Sequence, residues 1–169
     1  MLADNRTMRD GVVVGLIGYA SVALFYGAFD LLAARGLLYT VDLLGKAVFS
    51  GLRDPAVLQF PLQLDMALIF WYNALHFVSA LAIGLIVTGL VGHAQQMPSR
   101  RHVVLFIIVA GFVVTIFGVG MLTTAMRPVL PWWSIVVANA GATLLSGAYL
   151  LRRRPGLWRL FFVMGAART

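Results

Sequence analysis

Tyr72, Asn73 and His76 stand inside a run that is otherwise almost wholly apolar, IFWYNALHFVSALAIGLIVTGLVG, and Asp65 lies just before it. On a helix turning about 100° per residue, Asp65, Tyr72 and His76 are spaced i, i+7, i+11 and share one narrow stripe, which Asn73 borders. Such a line supports three kinds of chemistry. Asp, Tyr and His in sequence can pass a proton. His, Asn and Tyr among apolar walls can hold the carbonyls of a quinone or another small ligand. His76 can also serve as an axial ligand to haem. His93 and His102 fall in or beside the following loop, so one chain offers no second haem ligand across its core. Met66, Met121 and Met126 form no recognised thioether cluster for copper. The plainer reading is preferred: a buried His with a nearby Asn and Tyr hydrogen-bonds across helices and fixes their packing.

Two other stretches carry matching polar faces. Tyr19, Tyr26 and Asp30 repeat the i, i+7, i+11 spacing, and Asn139, Thr143 and Ser146 share a helical face. Polar groups in hydrocarbon turn inward and pair. The expected stripe therefore comprises Asp30, Asp65, Tyr72, Asn73, His76 and Asn139, with the two aspartates at one mouth and His76 about 16 Å deeper.

The elements that must position these groups follow from composition. The chain has 169 residues, 61% of them hydrophobic and only 11% charged. A water-soluble domain carries about 25% charged residues, so this chain cannot clothe itself for water, and its mean hydropathy of +0.91 agrees. About 20 apolar residues cross a bilayer as a helix. Four stretches qualify, at about 11–34, 64–92, 103–126 and 133–151, and they predict a single all-α membrane domain: an antiparallel bundle of four transmembrane helices. The first apolar run exceeds the usual length of a signal-peptide core, so it is read as a retained helix.

Charge gives the orientation. Arg6, Arg9, Arg100, Arg101, Arg152, Arg153, Arg154, Arg159 and Arg168 all fall on the side of the termini, nine of thirteen basic residues. The positive-inside rule then places both termini in the cytoplasm of a multi-pass inner-membrane protein. The net charge of +7 is accounted for by this asymmetry, and no nucleic-acid partner is expected. The basic, aromatic tail 152–169 predicts contact with anionic lipid at the cytoplasmic face. All six acids are aspartate and twelve of the thirteen bases are arginine, a skew that points to a GC-rich bacterial genome.

Between the first two spans, 40–53 reads as a short amphipathic helix. Thr40 is its expected N-cap. Val41, Leu44, Val48 and Leu52 form the apolar face, with Asp42, Lys46, Ser50 and Arg53 opposite, and Asp42 and Lys46 make an i, i+4 pair. Each long span also carries small residues at helical spacing: Gly11, Gly15 and Gly18; Ala80, Gly84 and Thr88; Gly111, Thr115 and Gly118; Ala138, Gly141 and Ala142. Such stripes let backbones approach in lipid.

With no cysteine, disulfides and thiol chemistry are excluded. There is no phosphate-binding loop, no metal-binding His pair, no serine beside a base and no internal repeat. The chain is therefore expected to be no enzyme and to need no cofactor. The leading expectation is a membrane subunit or accessory protein that packs against other membrane proteins or its own copies. A transporter or proton- and ligand-handling protein built on the His76 stripe comes second, and a haem- or quinone-linked redox protein third.

Overall fold

The computed structural model describes residues 5–51 and 63–162. Among these residues six α-helices follow one another: α1 (Asn5–Leu32), α2 (Tyr39–Phe49), α3 (Met66–Gln96), α4 (Arg101–Leu122), α5 (Trp132–Arg153) and α6 (Gly156–Phe162). Short 3₁₀ turns precede α4 and follow it, and there is no strand among the described residues. Four helical segments, the third running Pro98–Leu122, are long and apolar enough to cross a membrane. The all-α class and the four long apolar elements thus match the expectation. Their ends differ: α1 starts well before Gly11, and α3 continues past Gly92 to Gln96.

α1 is the organising helix, and small residues explain why. Its Gly11 and Gly15 press on α3, where a β carbon at Gly11 would come within 2.6 Å of Thr88 Oγ1 and one at Gly15 within 2.7 Å of Leu81 Cα. From the other side, a β carbon at Gly84 would collide with the Gly11 carbonyl and the Gly15 amide. The stripes of the first two spans therefore interlock. On its other flank α1 meets α5 through Phe29 and Trp133, whose rings lie 5.6 Å apart edge to face. α4 is held more lightly. Phe117 touches Trp132 at 5.6 Å, and the Trp132 indole fills the place a side chain at Gly120 would need.

Two apolar cores close the ends. One gathers Tyr39, Leu43, Leu44, Ala47, Met126 and Leu130 around α2. The other joins Val14, Val91, Leu150 and Leu157 near the described N- and C-terminal residues. Between them the long helices turn large apolar side chains outward: Leu24, Phe70, Phe106, Val114, Met121 and Leu144 are all more than half exposed. Belts of that size are foreign to a water-facing surface.

α2 departs from the amphipathic reading. Its helix is present and the Asp42–Lys46 ion pair forms at 2.6 Å. Asp42, however, is fully buried, together with Thr40, Leu43, Leu44, Gly45 and Ala47. The cause is close packing on α3, where a β carbon at Gly45 would lie 2.8 Å from the Leu68 carbonyl oxygen. Thr40 is not the N-cap. That position is Leu38, which contributes no side-chain cap, and Thr40 lies inside the first turn. Leu52 and Arg53, expected in this helix, lie outside the described residues, as does the tail beyond Phe162.

Candidate functional site

Tyr19 of α1 meets part of the expected stripe, Asn73 and His76, on α3. Tyr19 Oη donates to Asn73 Oδ1 at 3.2 Å, and Asn73 turns its amide N–H back to the Ile69 carbonyl at 2.9 Å. The His76 imidazole lies between two phenol rings, 5.1 Å from Tyr19 and 6.3 Å from Tyr72. Phe77 closes on Tyr19 edge to face at 5.4 Å. Nothing among the described residues hydrogen-bonds the His76 ring nitrogens. An imidazole N–H without a partner in an apolar setting costs roughly 1–3 kcal/mol. Tyr19, Tyr72, Asn73 and His76 therefore form one cluster.

The other three expected members go elsewhere. Asn139 bonds to the Ile135 carbonyl of its own helix at 2.8 Å. Asp30 is buried and caps α2 from outside it: its Oδ2 accepts the Thr40 N–H at 2.7 Å and its Oδ1 the Thr40 hydroxyl at 2.6 Å. The first N–H groups of a helix lack internal partners, so a carboxylate there does the work expected of Thr40. Asp65 is the N-cap of α3, accepting from the Ala67 and Leu68 amides at 3.0 and 3.1 Å.

These aspartates belong to one strapping system at the α2 end. Asp42 Oδ1 accepts the Asp65 N–H at 2.8 Å, its Oδ2 holds Lys46, and Lys46 also donates to the Gln63 carbonyl. Arg35 donates to the Val129 carbonyl and stacks over Phe29 and Tyr39. Burial raises the Tyr39 phenol above its ordinary 10.0; Arg35 opposes the rise and Asp30 adds to it. On the far side of α5, Arg127 lies 4.6 Å over the Trp132 ring and donates to the Gly120 carbonyl at 3.0 Å.

The opposite end holds a cluster that the sequence reading missed. Asp10, counted there as a charge outside the first span, is fully buried within α1. Arg154, counted as part of a basic tail facing anionic lipid, is 7% exposed. Asp10 Oδ2 accepts from Arg154 Nε at 3.1 Å and lies 3.0 Å from Nη2, while Tyr149 donates to Oδ1 at 3.3 Å. Arg153 Nε adds a longer contact at 3.8 Å. Arg154 spreads its remaining donors over Gln95 Oε1 at 2.9 Å and Thr7 Oγ1 at 3.2 Å. The physical reason is distribution of donors: a guanidinium spans several acceptors at once, so one arginine satisfies α1, α3 and α5 together. A sequence signal existed. Asp10 and Arg154 flank spans that end on the same side, and a carboxylate beside an apolar run needs a cation.

Among the described residues no three His, Asp or Glu side chains gather closely enough to hold a metal ion. Comparison with protein-family models, with curated proteins and with solved structures returns no match.

Proposed function

We propose that this chain is a non-catalytic accessory subunit of a membrane complex. In this reading α1, α3, α4 and α5 form an antiparallel four-helix bundle across the inner membrane, with both termini in the cytoplasm. The supporting observation is a contrast between glycines. Gly11 and Gly15 of α1 and Gly84 of α3 are sealed against each other, whereas Gly18 of α1, Gly89 of α3, Gly111 and Gly118 of α4, and Gly141 and Gly147 of α5 have nothing within 4 Å of where a side chain would start. Lipid gives no hydrophobic drive for helix association, so close-approach surfaces govern which helices pair. Such positions stand unused on all four long helices, two each on α4 and α5, and another membrane protein or a second copy would fill them. The test is mild-detergent co-purification at native abundance, comparing the wild type with Gly111→Leu/Gly118→Leu. A stable partner retained by the wild type and lost by the variant supports the reading; identical recovery of all membrane proteins by both overturns it.

A second reading is favoured by one specific observation, the position of the His76 imidazole between Tyr19 and Tyr72 with no hydrogen bond from the described residues. A proton or a small carbonyl-bearing ligand would complete that group. Binding or transport that survives His76→Leu in a folded protein would overturn it.

A further inference from the structure

We infer that the cleft where α1 starts, α3 ends and α5 turns into α6 is a phosphate site, occupied by the headgroup of an anionic phospholipid. The cleft measures about 370 Å³ and is lined by Arg6, Thr7, Gln95, Gln96, Arg154 and the Pro155–Gly156 corner. That volume is at the small end of ligand cavities and suits one headgroup.

The chemistry of the lining follows from Arg154. A guanidinium offers only donors, so each group facing it must turn an acceptor inward: Gln95 presents Oε1 and Thr7 presents Oγ1. This leaves the amide N–H pair of Gln95 and the hydroxyl hydrogen of Thr7 as donors with no acceptor among the described residues. Arg6 gives one N–H to the Arg153 carbonyl at 2.8 Å and keeps the rest of its exposed fork. Among the described residues the one nearby carboxylate, Asp10, is fully buried behind Arg154 with its oxygens already engaged. Carbonyls at the ends of α3 and α5 would oppose an anion. Those of His93 and Leu150 are taken by the Met97 and Arg154 N–H groups, and that of Arg153 by Arg6. The side chains lining the cleft are thus cationic or keep free donors, which calls for a ligand rich in acceptors. Phosphate meets that demand, since charge-assisted bonds from arginine and amide donors are among the stronger ones.

The lipid source rests on the membrane placement proposed above, which sets the basic end of the helices at headgroup level, and not on the identity of any partner. Gln95→Glu is the informative variant. It keeps an acceptor for Arg154 but removes both donors and adds a negative charge. Arg6→Gln removes the exposed charge. Arg100→Gln, in the turn before α4 and outside the lining, is the control. Native mass spectrometry of the full chain in detergent, titrated with phosphatidylglycerol or phosphatidylcholine, reads the binding.

The wild type is expected to retain phosphatidylglycerol at least about tenfold more tightly than phosphatidylcholine, and each cleft variant to lose about tenfold, the worth of one charged hydrogen bond. The control should bind as the wild type does. Equal affinity for the two lipids overturns the inference, and so does a loss in Arg100→Gln as large as in Gln95→Glu. Glycerol 3-phosphate binding as tightly as phosphatidylglycerol overturns the lipid assignment in favour of a soluble phosphate. Melting without added lipid verifies that Gln95→Glu folds; should it not, Arg6→Gln, at an exposed position, carries the test. A chain that stays in water without detergent would sink the membrane reading itself, whereas one that inserts and shows no lipid preference sinks only this inference.

Discussion

Gly84 of α3 lies directly on the backbone of Gly15 in α1, so closely that a β carbon on Gly84 would collide with the Gly15 amide. The contact is backbone on backbone, and no side-chain rotamer can relieve an intrusion there. Gly84→Leu should therefore separate α1 from α3 and cost about 3 kcal/mol or more, at the severe end for overpacked sites. Gly111→Leu should leave the isolated chain unchanged or slightly more stable, because leucine is the better helix former by somewhat under 1 kcal/mol. Melting curves in one detergent measure both. Equal losses would mean that α4 is packed as tightly as α1.

Asp30 tests the strapping of α2. Replacing it with alanine removes two acceptors from Thr40 and leaves a helix-start N–H without a partner. The expected loss is about 1–3 kcal/mol, confined to α2. Amide hydrogen exchange should show faster exchange in 39–49, with the protection of α1 and α3 retained. Uniform loss across all helices would instead make Asp30 a global support.

Tyr39 gives a pH dependence with a definite sign. Its folded pKa is raised, so the folded state holds the phenol proton more tightly than the unfolded chain does. Stability is undiminished below the unfolded value of about 10 and falls as pH rises from there through the folded value. Tyr39→Phe should flatten that alkaline decline. Titrating melting temperature between neutral and strongly alkaline pH checks it.

For Asp10 and Arg154 the expected costs are larger. Arg154→Met leaves a buried carboxylate facing Tyr149 and a distant Arg153, and should destabilise by about 3–5 kcal/mol. Combining it with Asp10→Leu should recover much of that loss, because a buried pair replaced by apolar groups of similar size costs little. A double variant as unstable as the single one would show that the network, and not the stranded charge, is what matters.

An absorption spectrum of the purified protein addresses His76. If the imidazole only packs between Tyr19 and Tyr72, no haem band is expected, and His76→Leu should change melting without altering any ligand-dependent signal.

The helical frame was legible because hydrocarbon leaves a strong, one-dimensional mark: twenty or so apolar residues in a row admit few alternatives to a helix. The Tyr19–Asn73 bond was half legible. Periodicity aligned Tyr72, Asn73 and His76 on α3 and placed Tyr19 on a polar face of α1, but spacing along one helix does not say which neighbour it meets. Asp30 and Asp65 were misgrouped for a related reason. Each satisfies backbone N–H groups at a helix start, a local demand that outbids a shared stripe. Asp42 escaped the amphipathic reading because Gly45 lets α2 approach α3 so closely that the polar side is buried too. Asp10 was read as a charge outside the first span and Arg154 as part of a lipid-facing tail, because each stands next to other charges in sequence; only the fold brings residues 144 positions apart together.

That ion pair also has a consequence for synthesis. Asp10 leaves the ribosome well before its partners Tyr149 and Arg154, which follow it by 139 and 144 positions. Until they are made, the nascent chain carries on α1 a carboxylate that lacks the two side chains it will be buried against.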